Sequence, residues 1–267
     1  MTVVPILLYH SVSDDPPSWI RPLSVTPKAF SRQLELVLEK GATVLSVGEY
    51  ASILEGRRSL PKRPVVITFD DGFADFREEA LPTLRRAGVP VTLFVTTGFL
   101  EGLSDGEGAK RPPGPWINAG ELAELRGEGV EIGAHSHSHP HLDTLPTEEA
   151  RAEVARSKEI LEELLASPVP SFAYPHGYHG PVVRRLVQEC GFASACAVKN
   201  ALSSDADDRF SLARLTVWST TTADELEAWL DGRGAPIATS RERALTRAWR
   251  VCRRGRALVT GRRSDWS

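Results

Sequence analysis

The chemistry-bearing residues of this chain gather in a few dense groups. The first is Asp70-Asp71-Gly72, which directly follows Val65-Val66-Ile67-Thr68-Phe69. That apolar and β-branched run suits a strand buried on both faces. A buried strand that delivers two adjacent carboxylates is costly unless each charge finds a partner. A metal ion would serve one of them and a reacting proton the other. Taken alone, the pair reads equally well as an Asp-Gly turn closing the strand. The second group is Gly133-Ala134-His135-Ser136-His137-Ser138-His139-Pro140-His141, with a histidine at every second position from 135 to 141. Imidazole is the commonest side-chain ligand of zinc and its neighbours, and catalytic sites typically use three protein ligands. If the chain turns helically after the strand, His135 and His139 reach one ion. If it stays extended, all the histidines share a face.

The elements that must position these groups alternate along the chain. Strands are predicted at Val3–Tyr9, Thr43–Leu45, Val65–Phe69, Pro90–Val95, Val130–Ala134, Pro170–Tyr174, Ala193–Val198 and Leu212–Val217. Helices are predicted between them. One starts at Thr26-Pro27 and closes at Gly41, another spans Ser46–Leu54, and a third runs through Arg77 to Gly88, where Pro82 kinks it or marks its true start. Asn118 with Glu121 forms a capping-box pattern for a helix to Arg126, followed by helices at Thr147–Ala166 and Pro181–Cys190. Residues 102–115, rich in Gly and Pro, read as a surface loop at the mouth of the fold. Strand–helix alternation with about seven or eight strands predicts a closed α/β barrel of parallel βα units. A doubly wound open sheet is the alternative.

Bulk properties narrow the function classes. The chain has 267 residues, 41% hydrophobic and 25% charged, with net charge −3. That is enough chain for one large barrel; it excludes a disordered protein and gives no global case for nucleic-acid binding. Cys190, Cys196 and Cys252 lack zinc-site spacing and read as thiols of a reducing compartment. With no basic leader and no membrane-length apolar run, the expected location is cytoplasmic. No Gly-x-Gly-x-x-Gly turn follows the first strand, so a dinucleotide site has no support. The body, residues 1–235, is expected to be one catalytic domain. Residues 236–267 form an arginine-rich tail, in which Leu245, Trp249 and Cys252 with Arg243, Arg247 and Arg250 suggest a basic amphipathic helix. Such a helix could touch the inner face of an anionic membrane; a solvated tail is the plainer reading.

In barrels of this kind the site forms at the C-terminal ends of the strands. Polar clusters fall at four predicted strand ends: His10, Asp70-Asp71, the histidine run, and Tyr174-Pro175-His176-Gly177. Their agreement is stronger than any single motif.

Thr68-Phe69-Asp70-Asp71-Gly72 followed by His135-Ser136-His137-Ser138-His139-Pro140 resembles the polysaccharide deacetylase family (NodB homology, carbohydrate esterase family 4). Residues 3 to about 220 fit that family's order of motifs. The resemblance implies a deformed (β/α)7 barrel and a metal-dependent deacetylase. By position, Asp71, His135 and His139 would hold a divalent metal, Zn2+ above all with Co2+ or Ni2+ as alternatives, and Asp70 would be the catalytic base. His137 and His141 sit at variable positions and are expected around the site or at the surface. The family's third motif, usually Arg-x-Pro-Tyr-Gly, here reads Ala173-Tyr174-Pro175-His176-Gly177. The turn would still aim the His176 backbone N–H at an oxyanion, a role indifferent to side-chain identity. Tyr174, Pro175 and Gly177 are expected beside the substrate. The arginine that braces the base is absent, and Arg214 from the last strand is the candidate replacement; a surface arginine at a strand edge is the plainer reading.

The late histidine that supplies the family's general acid is also missing. Tyr9-His10-Ser11-Val12 resembles the start of the branch that deacetylates poly-β-1,6-N-acetylglucosamine, where the motifs look circularly permuted. There a histidine ending the first strand takes the late one's place, and His10 is expected to protonate the leaving amine. The implied reaction is hydrolysis of an acetamide on an N-acetylated sugar, glycan or glycan carrier, by a water that a bound metal activates. Hydrolysis of another C–N bond, such as a cyclic ureide, and a non-catalytic carbohydrate-binding barrel are the alternatives.

Overall fold

The computed structural model of the protein describes residues 1–103 and 111–239, together with Cys252, Arg253 and Gly255. Seven strands close a parallel barrel: β1 (Ile6–Tyr9), β2 (Pro64–Phe69), β3 (Val91–Val95), β4 (Val130–Ala134), β5 (Ser171–Ala173), β6 (Ser194–Val198) and β7 (Leu212–Thr216). Each pairs with its neighbour in sequence. Closure comes from Leu215↔Leu7 between β7 and β1, and from Ile6↔Val66 through Tyr9↔Phe69 between β1 and β2. The seam between β4 and β5 is the thinnest, with Ala134↔Phe172 as its register pair. Thr43–Leu45 adds a short strand outside the ring, on the first half of β2. The expected (β/α)7 barrel is the observed fold.

Helices α1 (Pro27–Glu39), α2 (Val47–Leu54), α3 (Leu81–Ala87), α4 (Glu121–Gly127), α5 (Thr147–Leu165), α6 (Pro181–Glu189) and α7 (Ala223–Leu230) wrap the ring. Their starts are written in the sequence. Thr26 accepts from the Ala29 N–H ahead of Pro27, and Ser46 with Glu49 forms a reciprocal capping box on α2. Thr222 and Glu225 cap α7 the same way; that Thr-x-x-Glu signal announces a helix the sequence reading did not include. Two boundaries differ from expectation. Pro5 has no N–H to give a ladder, so the first strand divides there, and Val3–Val4 pairs antiparallel with Ser203–Ser204. Asn118 does not cap α4. Its side chain accepts from the Gly120 N–H in a local turn, and the helix starts at Glu121. Pro82 lies in the first turn of α3, behind a π-helical turn at Phe76–Ala80, so it marks the true helix start.

Period-two alternation divides each strand between two cores. Leu7, Tyr9, Ile67, Phe69, Leu93, Val95, Ile132 and Phe172 face the helices. Ile6, Val66, Phe94, Ala173, Cys196 and Leu212 fill the barrel interior. At the N-terminal end the interior is plugged by Glu131, which accepts from Ser46 Oγ (2.6 Å), Ser171 Oγ (2.7 Å) and the Gly48 N–H (2.8 Å). Burial pushes this carboxyl up, against those bonds. Among the described residues, no helix is long and apolar enough to cross a membrane. Apart from Cys252, Arg253 and Gly255, the tail expected to be a basic amphipathic helix lies outside the described residues from Ser240 onward.

The interior has no room at Gly133. A Cβ there would sit 2.5 Å from a Phe94 ring carbon and 3.0 Å from the Ser171 carbonyl oxygen. Gly133→Ala is therefore expected to destabilise the fold by about 1–3 kcal/mol through overpacking. A urea-denaturation midpoint lowered at constant slope is the result to look for, and an unchanged midpoint contradicts it.

Candidate active site

The inward alternation of three strands delivers the site. Beyond Ile6 on β1 the inward positions are Leu8 and then His10. Beyond Val66 on β2 they are Thr68 and Asp70, and beyond Leu212 on β7 comes Arg214. The Asp70 N–H donates to the Tyr9 carbonyl at 3.0 Å, so the ladder continues past both strand ends. Arg214, expected at the substrate or in place of the missing brace, meets the Asp70 carboxylate. Its Nη1 and Nη2 donate to Asp70 Oδ1 and Oδ2 at 2.6 and 2.7 Å, with Arg214 0% and Asp70 3% exposed. The guanidinium also donates to Thr68 Oγ1 (3.3 Å) and lies 5.5 Å from the Phe94 ring centre. Such a bidentate fork has the geometry in which a buried pair offsets its desolvation.

Strict alternation would send Asp71 away from Asp70. Asp71 breaks it by adopting φ 76°, with Gly72 following at φ 93°. Left-handed backbone costs about 1–2 kcal/mol in most L residues, and Asp tolerates it better than most. The turn is held by the Thr96 N–H on the Asp71 carbonyl (3.2 Å) and the Ile117 N–H on that of Gly72 (3.0 Å). Both carboxylates thus face one mouth.

The histidine run neither stays extended nor forms a helix. His135 ends β4, with its N–H on the Val95 carbonyl, and its Nδ1–H donates to the Ala173 carbonyl at 2.8 Å. That bond fixes the tautomer and leaves Nε2 a lone pair for the site. Ser136 and His139 both take positive φ, 62° and 57°, and bend the loop so that His139 returns to His135. Asp71 Oδ1 lies 3.4 Å from His135 Nε2 and 3.3 Å from His139 Nε2. It is buried and has no hydrogen-bond partner. One ligand atom from each residue fits within a 4.8 Å span, all three side chains being buried. Two imidazoles and a carboxylate around an oxygen without a hydrogen-bond donor make a donor set able to hold a divalent metal ion. His137 is a buried neighbour rather than a surface residue, its Nδ1 at 2.9 Å from Thr97 Oγ1. His141 lies outside the trio, its ring 4.4 Å from that of His176.

At the end of β5, Tyr174-Pro175-His176-Gly177 folds into a tight turn closed by the Gly177 N–H on the Tyr174 carbonyl (2.7 Å). His176 has φ 56°, and its ring sits 4.5 Å from that of His139. A side chain at Gly177 would put its Cβ 2.3 Å from the Val198 nitrogen, so glycine is required there. Tyr174, expected beside the substrate, is core: it is fully buried, and its hydroxyl donates to the Phe210 carbonyl at 3.0 Å. Pro175 and Gly177 are buried in the turn and shape the site through backbone alone.

The electrostatics separate the two aspartates. Burial pushes the Asp70 carboxyl up, but the Arg214 guanidinium and His135 outweigh it and hold it below the usual carboxylate range. Asp71, equally buried and next to the Asp70 charge, is pushed up to about 8. Burial lowers His10 to about 4, against the pull of Asp70, and its Nδ1 has no hydrogen-bond partner. His135 and His139 are also lowered by burial, which favours the neutral imidazole that a metal requires.

Arg214→Met leaves the Asp70 charge buried and alone. The expected loss is about 3–5 kcal/mol at pH 8. In the wild type Asp70 is depressed, so its contribution is present above the unfolded carboxylate value of about 3.9 and fades as pH falls below it. In the variant burial raises Asp70, the folded state takes up a proton, and stability falls as pH rises. The deficit should therefore shrink between pH 8 and pH 5 in denaturation curves of the metal-free proteins; a pH-independent deficit contradicts this origin.

Comparison with known proteins bears on the family and the fold. The polysaccharide deacetylase family model matches residues 57–195. YxkH of Bacillus subtilis (strain 168), whose name places it among the polysaccharide deacetylases, is 23% identical over 214 residues, covering 80% of this chain and 71% of its own. A poly-β-1,6-N-acetyl-D-glucosamine N-deacetylase of Staphylococcus aureus (strain MRSA252) is 25% identical over 189 residues, 65% of this chain and 62% of the relative, so the chain spans under two thirds of that protein. In fold, the Streptococcus pyogenes deacetylase PplD, solved with acetate, superposes with a TM-score of 0.75 at 24% identity, covering 84% of this chain and 96% of that one. With more than half of its length matched from the Asp-Asp strand through the histidine loop to β6, the chain belongs to the polysaccharide deacetylase family.

Proposed function

We propose that the protein is a metal-dependent N-deacetylase of an N-acetylated sugar or glycan, with Asp71, His135 and His139 as the metal ligands and Zn2+ as the ion they suit best. The observation that carries this reading is the buried, donor-free Asp71 Oδ1 between two imidazole nitrogens, with an Arg-clamped carboxylate beside it. When bound, such an ion lowers the pKa of a water toward ~7 and polarises a carbonyl. The substrate class follows the relatives, whose names specify N-acetylglucosamine of peptidoglycan and of a β-1,6-linked polymer.

The chain's own residues divide the remaining work. Asp70 is the base. Arg214 keeps it ionised at any pH above the carboxylate range, which makes it always ready and intrinsically weak, so the acidity must be supplied on the water side. The fixed fork on Arg214 also aims the carboxylate, because neither oxygen can rotate away. The His176 backbone N–H, on its left-handed turn, is the donor for the tetrahedral oxyanion. His10 protonates the departing amine. As an imidazole lowered to about 4 it is neutral at rest, so it must first collect a proton, and Asp70, the neighbour that raises its affinity, is the group able to pass on the one taken from water. A non-catalytic barrel would have no use for a clamped base beside a complete ligand set.

Acetate release from a panel of N-acetylated sugars and oligosaccharides, with metal analysis of the same samples, tests the reading. Asp70→Asn should retain the metal and lose turnover, Asp71→Ala should lose both, and His10→Asn should keep the metal with turnover down about 10²–10⁴-fold. Full turnover in Asp70→Asn rejects its role. A ring-opened ureido acid from a cyclic ureide, with no acetate from any sugar, replaces the substrate class.

A further inference from the structure

The two histidines of the ligand trio are held in different ways. His135 is oriented twice, by the strand it ends and by the bond from its Nδ1 to the Ala173 carbonyl. Among the described residues His139 has no such second bond: its Nδ1 is buried with no hydrogen-bond partner there. Its aim therefore depends on the backbone of the loop that carries it. That loop contains two non-glycine residues at positive φ, Ser136 and His139 itself, a strained backbone that persists only where its surroundings enforce it.

The enforcement comes from three sides. The Thr97 and Gly98 N–H groups donate to the carbonyls of Ser136 (3.2 Å) and His137 (2.7 Å), and Ser136 Oγ accepts from the His139 N–H at 3.1 Å. On the remaining side the loop meets a charge. Glu153, in the second turn of α5, accepts at Oε2 from the N–H groups of His137 (3.1 Å) and Ser138 (2.8 Å) and at Oε1 from Ser138 Oγ (2.6 Å). Both oxygens are engaged by consecutive residues immediately before His139, in charge-assisted bonds about twice as strong as neutral ones. We infer that Glu153 is a positioning residue of the metal site, fixing His139 by holding the strained loop from the helix side. Among the described residues, the hydrogen bonds of Glu153 go to His137 and Ser138 and none to the side chains of Asp71, His135 or His139, so its role is one of position. The inference rests on the metal-site reading given above.

The expected consequence is a loss of metal affinity rather than of the barrel. Groups that orient metal ligands typically change affinity about 10–100-fold when removed. Full-length protein stripped of metal is titrated with Zn2+ against a chromophoric chelator, and with Co2+ by its visible absorption, near-ultraviolet circular dichroism confirming the fold of each variant. Glu153→Ala should weaken Zn2+ binding about 10–100-fold and alter the Co2+ spectrum. Glu153→Gln keeps the shape and one acceptor oxygen, and should weaken it by a smaller factor. Glu159→Ala, at an exposed position of the same helix, should bind as wild type does. Wild-type affinity and an unchanged Co2+ spectrum, in whichever of the Glu153 variants folds, overturn the positioning role. A wild type that binds neither ion, indistinguishable from Asp71→Ala in the same titration, overturns instead the metal reading on which it stands.

Discussion

The site depends on one buried ion pair, and that pair depends on barrel closure. Asp70 and Arg214 come from strands far apart in sequence, and both are withdrawn from water. Taking a carboxylate and a guanidinium out of solvent is costly by several kcal/mol per ion, and misaligned partners do not offset it. Alignment is a matter of register. β1 lies between β2 and β7, pairing Leu7 with Ile67 on one side and with Leu215 on the other. By that double register Arg214 falls beside Ile6 and Asp70 beside His10, both on inward positions, so the long Arg214 side chain runs up the barrel interior to reach the carboxylate. The Phe94 ring beside the guanidinium and the Ala197 carbonyl accepting from Nε complete its surroundings. A ring opened between β7 and β1 would lose the pair along with the seam.

Strain is concentrated where the barrel hands over to the site. Of the seven described non-glycine residues with positive φ, four lie in the site motifs: Asp71, Ser136, His139 and His176. Each reverses a direction that regular geometry would impose. Asp71 turns back beside Asp70, Ser136 and His139 fold the histidine loop onto itself, and His176 turns the β5 loop toward the trio. Such conformations persist when their surroundings over-determine them. Here the surroundings are backbone amides from adjacent βα loops, Thr96 on Asp71 and Thr97 and Gly98 on the histidine loop. The motifs are mutually braced, so the Asp71, His135 and His139 side chains are held together by the fold itself.

The fold was legible because its signals are local. Alternating strands and helices, capping residues and polar strand ends each speak within a few residues, and together they specify a barrel with one functional face. Contacts across the ring were not legible. Arg214 looks the same in sequence whether it braces Asp70 or lies at an edge, because only the β7–β1–β2 register decides it. Tyr174 stood in a functional motif, but its hydroxyl is taken by Phe210 in the core, a contact no spacing announces. Glu153 is one of several glutamates on α5, and its engagement depends on how the histidine loop bends. That bend was undecided between extended and helical because neither describes a loop with two left-handed residues.

Asp70 and Asp71 are adjacent, chemically identical and equally withdrawn from solvent, yet they are displaced in opposite directions. Burial acts alike on both, so the difference lies in their partners. Arg214 supplies Asp70 with a permanent cation and two donors, and the resting carboxylate is ionised throughout the neutral range. Asp71 receives no donor on Oδ1, feels the repulsion of Asp70, and without a counter-charge takes up a proton near neutrality. Neighbouring titratable groups driven apart by their environments mark a division of roles. A divalent cation between His135 and His139 would be to Asp71 what Arg214 is to Asp70, turning the least favourable charge in the barrel into a ligand. Two buried carboxylates side by side would then cease to be a liability, because each would have its own cation: one built into β7, the other taken from solution.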